Sequence, residues 1–277
     1  MIKLVLELLR EMLSYDFLVR AVVVGIFVSL CAALLGVSLV LKRYSMIGDG
    51  LSHVGFGTLA IATAFNLAPL QVSIPVVMLA AFFLLRLSEN SKIKGDAAIA
   101  LISTSSLAVG VVVVSLTTGL NTDVCNFMFG SILAMSRSDV YISVALSVVV
   151  LFLFIFLYNK IFAVTFDENF ARATGVRTEL YNTLLAFLTA ITIVLGMRMM
   201  WALLISSLLI FPAITAMQLF KEFKSVTICA VITSLVCFIT GVVASYVYGT
   251  PTGASVVLAN VLMFGLFWCS GRLKRSF

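Results

Sequence analysis

Residues 17–41, FLVRAVVVGIFVSLCAALLGVSLVL, decide the class of this protein. The stretch carries one charged side chain, Arg20, and Lys42 and Arg43 follow it directly. Since a helix that crosses a membrane needs about 20 apolar residues, this stretch predicts a membrane span. The whole chain of 277 residues has the same character, because 62% of it is hydrophobic and 11% is charged. We therefore predict an all-α membrane protein with several spans and no separate soluble domain.

Apolar runs of similar length recur along the chain. The predicted spans lie near 17–41, 47–66, 69–87, 96–118, 139–160, 181–199, 200–220, 225–248 and 252–273. Because the connections around 47–66 and 181–220 are very short, we expect eight or nine spans in one helical bundle over residues 17–277. Residues 1–16 predict an amphipathic helix on the membrane surface. The apolar part of 119–138 predicts a re-entrant segment.

The basic side chains indicate how the bundle is oriented. If the spans alternate in direction, one side of the membrane receives 13 of the 18 Lys and Arg residues. These are Lys42, Arg43, Arg86, Lys92, Lys94, Lys160, Arg172, Arg177, Lys221, Lys224, Arg272, Lys274 and Arg275. By the positive-inside rule, that side is cytoplasmic. The net charge of +6 therefore reflects topology and does not indicate nucleic-acid binding.

The segment GDGLSHVGFG, residues 48–57, places a carboxylate and an imidazole inside a span. Asp49 and His53 lie four residues apart and so share one helical face, and His53 is the only histidine in the chain. Ionisable residues within spans are rare and commonly functional. The pair can offer one oxygen and one nitrogen to zinc, or less selectively to manganese or iron. The alternative is that Asp49 merely holds a packed histidine or caps the span.

Two further positions are candidates on local grounds. Asp123 lies near the outer end of the fourth span and is a candidate for the same metal path, although an exposed helix N-cap is the alternative. Pro212 lies in the seventh span, where it lacks an amide and frees the carbonyl near residue 208. We expect a kink there, and it is either static or a hinge.

The segment IFAVTFDENFARATGVRTEL, residues 161–180, is the longest cytoplasmic connection. Asp167 suits a helix N-cap and Gly175 suits a helix end, so a short helix is predicted between them. The residues expected on this helix include Phe170, Ala171 and Arg172. One interpretation is an interfacial helix on anionic lipid, and the other is a docking helix for a cytoplasmic partner.

A partner is expected on energetic grounds. The chain contains no GxxxxGK[ST] phosphate loop, so we do not expect it to be an enzyme that hydrolyses ATP by that route. It also lacks the several carboxylates within spans that are typical of proton- or sodium-driven pumps. An energy source in another chain is therefore predicted.

Four segments in collinear order resemble the permease subunits of bacterial ABC importers for zinc and manganese. MIGDGLSHVGFGTLAIA at 46–62 resembles that family's Gly-Asp-x-Leu-Ser-His segment, and WALLISSLLIFPAITA at 201–216 resembles its Leu-Leu-x-x-Pro-Ala span. YGTPTGASVVL at 248–258 resembles the turn before its last span, and FDENFARATGV at 166–176 resembles its coupling loop. The match extends over roughly residues 20–272.

The resemblance implies the ABC importer permease fold and a multi-pass location in the bacterial plasma membrane. It implies a homodimer, or a heterodimer with a similar subunit, that carries two ATP-binding subunits and receives metal from an extracytoplasmic binding protein. No permanently bound cofactor is implied, only transported zinc or manganese. The family's metal-path residues carry over onto Asp49, His53 and Asp123. Some zinc members have a histidine near the position of Thr104, and that departure leaves zinc and manganese both open.

Three alternatives are compatible with parts of the pattern. A permease for a metal chelate such as cobalamin or a siderophore would share the coupling loop but would not need the Asp/His pair. A proton-coupled metal carrier would work without an ATPase. An intramembrane zinc protease would need more ligands than one histidine supplies.

Overall fold

The computed structural model describes residues 14–90, 95–117, 137–200 and 202–276. Over these ranges the chain is helical and has no strand, which confirms the all-α class. Most of the expected surface helix at 1–16 and of the expected re-entrant segment at 119–138 lies outside the described residues.

The described residues form eleven helices. They are α1 Asp16–Leu41, α2 Ile47–Ala64, α3 Pro69–Asn90, α4 Gly95–Thr117, α5 Arg137–Phe156, α6 Tyr158–Phe166, α7 Glu168–Ala173, α8 Thr178–Met200, α9 Ala202–Leu219, α10 Phe223–Tyr248 and α11 Thr252–Ser276.

Nine of these helices coincide with the nine predicted spans. Six of them, namely α1, α4, α5, α8, α10 and α11, are long and apolar enough to cross a membrane. The apolar parts of α3 and α9 are shorter, Pro69–Leu85 and Leu204–Leu219. The remaining helix, α2, carries the Asp49 and His53 side chains. The expected total of eight or nine spans is therefore approximate.

The fifth span is shorter than predicted. We expected a helix over 139–160, but α5 ends at Phe156 and Leu157 interrupts the helix with φ −97° and ψ 11°. The chain then resumes as α6 at Tyr158. Because the first polar residues, Asn159 and Lys160, come only after the break, composition places the end of the span a few residues too late.

The core lies where α1, α2, α8 and α9 meet. Its fully buried side chains include Leu35, Leu51, Ile193 and Leu208, one from each of these helices. Apolar composition alone does not select these four helices, because α4 and α5 are about as apolar as α1 and yet most of their residues are exposed, as on helices that face lipid.

Small residues allow α2 to pack closely on two sides. A Cβ atom added to Gly55 would lie 2.7 Å from Sδ of Met197 on α8, and one added to Gly57 would lie 2.7 Å from the carbonyl oxygen of Ser106 on α4. Such approaches are typical of small-residue interfaces between membrane helices. These close approaches hold α2 between α4 and α8.

Candidate metal site and docking helix

The Asp49 and His53 side chains form the accessible face of α2. Asp49 lies in the first turn of α2, and Nε2 of His53 is 3.7 Å from Oδ2 of Asp49. The side chain of His53 is 26% exposed and that of Asp49 is 45% exposed. Every other residue from Ile47 to Ala60 is buried. Along Ile47 to Ala60, therefore, only the Asp49 carboxylate and the His53 imidazole are accessible.

The geometry of the pair suits a shared cation. One carboxylate oxygen and one imidazole nitrogen on adjacent turns are ligands that zinc accepts, and manganese and iron accept them as well. Within the described residues, no cluster of three or more His, Cys, Asp and Glu side chains could hold a metal ion. Two ligands are fewer than the four that structural zinc takes, so the pair can only be part of a coordination shell.

A cavity of about 220 Å³ lies between α2 and α4. Its lining on α2 begins at Val54, the residue that follows His53 in sequence. Val54 and Gly57 line it from α2, and Ser105 and Ser106 line it from α4. Thr104 is exposed, and its hydroxyl donates to the carbonyl of Ala100 within α4 at 2.7 Å. The cavity therefore offers hydroxyl groups. At Thr104, where the resemblance implies a histidine in some zinc permeases, the side chain is bonded to its own helix.

Of the two remaining candidates, Asp123 and Pro212, the structure describes only Pro212. Asp123 lies outside the described residues. Pro212 lies inside α9, and the helix continues past it to Leu219. Its place within an unbroken helix is compatible with a static kink and with a hinge.

The predicted short helix between Asp167 and Gly175 is confirmed as α7. Asp167 has extended backbone angles, φ −146° and ψ 98°, and its Oδ1 accepts a hydrogen bond from the amide of Phe170 at 2.9 Å. Gly175 has φ +84°, a left-handed conformation that favours glycine, so the helix ends there. Ala171 is fully buried, whereas Phe170 is 65% exposed. The helix thus has one face against the bundle and an exposed aromatic side chain on the other.

An ionic network holds α7 to the bundle. Oε2 of Glu168 is 3.4 Å from Nζ of Lys42, and Oε1 is 3.5 Å from a guanidinium nitrogen of Arg172. Lys42 also donates to Oδ1 of Asn182 at 2.5 Å. Burial raises the pKa of Glu168, but hydrogen bonds from Asn182 and Lys42 and the charges of Lys42 and Arg172 outweigh it and lower the pKa below 4.5.

Two residues of this network, Lys42 and Asn182, have roles that the sequence does not predict. In sequence, Lys42 contributes only to the positive-inside count. An amide side chain inside an apolar span is unusual and could have marked Asn182 as a candidate. Its partner, Lys42, lies 140 residues away in sequence. No local pattern connects the two.

An open cavity of about 710 Å³ lies beside α7, at the start of α8. Its polar lining includes Arg172, Arg177 and Thr178. Arg172 donates to Oγ1 of Thr178 through both Nε and a terminal nitrogen, at 3.4 and 3.3 Å. Glu179 lines the cavity as well, so the concave surface beside α7 carries charges of both signs, and Phe170 on α7 is exposed.

Comparison with known proteins gives a consistent result over nearly the whole chain. A family model described as the ABC 3 transport family matches residues 14–270. The chain is 31% identical to the high-affinity zinc uptake system membrane protein ZnuB of Haemophilus influenzae, over 91% of this chain and 97% of that protein. It is 27% identical to the manganese transport system membrane protein MntC of Halalkalibacterium halodurans, over 92% and 88%. Among solved structures, PsaBC from Streptococcus pneumoniae in complex with Fab superimposes with a TM-score of 0.84 at 27% identity, over 95% of this chain and 94% of that one.

Proposed function

The chain belongs to the ABC 3 transport family, and from that premise we propose that it is the membrane-spanning permease subunit of an ABC transporter that imports a divalent transition metal, zinc or manganese. It is a multi-pass protein of the bacterial inner membrane and not an enzyme. The observation that carries the choice of cargo is the pair on α2. Asp49 and His53 alone stay accessible between Ile47 and Ala60, and they are the side chains in this stretch that can bind such a metal.

The incomplete ligand set supports a transport role. A transporter must bind its ion well enough to take it up and weakly enough to release it. In a dimer of two such chains, each contributes one Asp49 carboxylate and one His53 imidazole to the path. An extracytoplasmic metal-binding protein delivers the ion to this path. Asp123 is proposed as a further residue on it, nearer the outer surface.

The energy comes from a cytoplasmic ATP-binding subunit that docks on α7. The cap at Asp167, the buried Ala171 and the turn at Gly175 hold this helix in place, and Phe170 and Arg172 meet the ATPase. ATP binding draws two ATPase subunits together and moves α7, which opens the path outward, and hydrolysis resets it. Pro212 is proposed as a hinge in α9 for this movement.

The experiment that tests this function is metal accumulation in metal-starved cells that lack their own zinc and manganese importers. The cells express the permease and its binding protein, with or without the cognate ATPase. We expect zinc or manganese to accumulate only when all three components are present. Accumulation without the ATPase would favour a proton-coupled carrier, and uptake of metal only as a chelate would favour a chelate permease.

A further inference from the structure

We propose that Lys42 is a positioning residue that transmits movement of α7 to α2, the helix that carries Asp49 and His53. This inference rests on the proposed function, because it takes α7 as the docking helix and α2 as the wall of the metal path. It assigns a transport role to Lys42, Glu168 and Asn182, which join three helices at the cytoplasmic end of the bundle.

The first observation is the burial of a charged lysine. The Lys42 side chain is only 9% exposed, and a buried ammonium group is costly unless it is paired and hydrogen-bonded. Its Nζ donates to Oδ1 of Asn182 at 2.5 Å and to Oε2 of Glu168 at 3.4 Å. Asn182 lies on α8 and is itself buried. Lys42 is therefore fixed by one neutral acceptor in the bundle and one charged acceptor on the docking helix.

The second observation is the short, hydrogen-bonded turn between Lys42 and α2. The amide of Lys42 donates to the carbonyl of Ser38, that of Tyr44 donates to Leu39 at 2.9 Å, and that of Ile47 donates to Tyr44 at 3.0 Å. Four residues, Arg43 to Met46, separate Lys42 from Ile47, where α2 begins. With its amides bonded in this way, the turn has little freedom to absorb a displacement of Lys42.

The packing around this turn is tight. Lys42, Tyr44, Ile47 and Asn182 line one cavity of only about 20 Å³. A cavity of that size holds about one water molecule. Since a close-packed region transmits strain instead of absorbing it, a shift of Lys42 reaches the first residue of α2 directly. Asp49 lies in the same first turn of that helix.

The third observation is that a single carboxylate connects the exposed surface to the buried lysine. Glu168 uses Oε1 for Arg172, which is exposed on α7, and Oε2 for Lys42. A partner that attracts or displaces Arg172 therefore changes the position of the carboxylate that holds Lys42. The path runs from Arg172 through Glu168 and Lys42 to α2.

A purely structural clamp would show the same contacts, so the test measures transport per ATP hydrolysed. The permease, its ATPase and its binding protein are reconstituted in proteoliposomes, and zinc and manganese uptake and phosphate release are recorded together. The variants are Lys42→Met, Glu168→Gln and the double variant, with Lys42→Arg as the conservative replacement. Arg43→Gln is the matched control, because it removes the adjacent, exposed cation from the same turn.

We expect Lys42→Met and Glu168→Gln each to lower the metal transported per ATP by about fivefold or more, as for a typical coupling free energy between sites. Because both remove the same link, the double variant should be no worse than the more severe single variant. Lys42→Arg should retain most of the metal transported per ATP. Arg43→Gln should transport as much metal per ATP as the wild type.

An unchanged ratio of metal transported to ATP hydrolysed in Glu168→Gln would overturn the inference. If uptake and ATP hydrolysis fall together in Glu168→Gln at an unchanged ratio, the network only holds α7 in place. If Lys42→Met fails to fold, Glu168→Gln still tests the inference, because Glu168 is partly exposed. A wild-type value of metal transported per ATP in Glu168→Gln then rejects the transmission role. Failure of the proposed function looks different, since the wild-type protein itself would then show no ATP-driven metal uptake, and the inference would fall with it.

Discussion

A Cβ atom on Gly36 would lie 1.9 Å from the carbonyl oxygen of Leu209, so the backbones of α1 and α9 are in direct contact at this point. Real Cβ atoms do not approach an oxygen this closely, and the obstacle is backbone that cannot rotate away. Leu209 also borders α2, because a Cβ atom on Gly48 would lie 3.0 Å from its Cδ1 atom. This contact thus joins three helices of the core.

Gly36→Ala is expected to destabilise the protein, because the new methyl group forces α1 and α9 apart. Overpacking of a tight core costs about 1–3 kcal/mol, and contact with backbone is at the high end. The measurement is the thermal unfolding midpoint in detergent. Gly265→Ala in α11 is the control, since a Cβ atom there meets nothing within 4 Å. Equal midpoints for the two variants would contradict the contact.

Asp167→Ala is expected to loosen the start of α7, because the amide of Phe170 loses its acceptor. Loss of an N-cap typically costs about 1 kcal/mol. Hydrogen exchange of the amides over residues 168–171 should become faster, whereas Asp167→Asn should preserve most of the protection. Unchanged exchange in Asp167→Ala would show that the cap does not stabilise this helix.

Phe170→Ala is expected to weaken binding of the ATPase without lowering stability. Its side chain is largely exposed, so the folded permease loses little packing, but the proposed docking surface loses an aromatic anchor. The measurement is the amount of cognate ATPase that co-purifies with the permease. Tyr248→Ala at the far end of α10 is the control, as it removes an exposed aromatic side chain on the opposite side of the membrane. If Tyr248→Ala reduces the amount of co-purified ATPase equally, Phe170 has no specific role in docking.

The pKa of Glu168 predicts an acid-dependent loss of stability. Because the pKa in the folded protein is lower than the ordinary value of 4.5, the ionised carboxylate stabilises the fold above pH 4.5. This contribution is lost as the pH falls through the lower, folded-state value. The thermal midpoint of Glu168→Gln should therefore change less than that of the wild type between pH 6 and pH 3. A midpoint of Glu168→Gln that falls with pH as steeply as that of the wild type would contradict a stabilising role of the Glu168 carboxylate.

Much of this architecture could be predicted from local features of the sequence. Apolar runs of span length located the nine long helices within a few residues, since burial in lipid demands such runs. Asp167 and Gly175 marked the ends of α7 because capping depends on neighbouring residues only. The four-residue spacing of Asp49 and His53 placed both on one helical face for the same reason.

The remaining features depend on contacts between distant parts of the chain. The break at Leu157 precedes the polar residues Asn159 and Lys160, so composition places the end of this span a few residues too late. Lys42 resembles any cation after a span, and only the folded bundle shows that it is buried against Asn182 and Glu168. The contact of Gly36 with Leu209 likewise follows from packing and not from periodicity.

The most direct test of metal contact at Asp49 and His53 is ATP-dependent uptake of radioactive zinc and manganese into proteoliposomes. These contain the permease, its ATPase and its binding protein. Wild type is compared with His53→Ala and Asp49→Asn. Thr240→Ala is the control, because its exposed hydroxyl is bonded to the carbonyl of Val236 within α10. We predict that the wild type and the control take up one of the two metals and that both pair variants lose about tenfold or more of this uptake. Wild-type uptake of that metal by His53→Ala would contradict a metal contact at the pair.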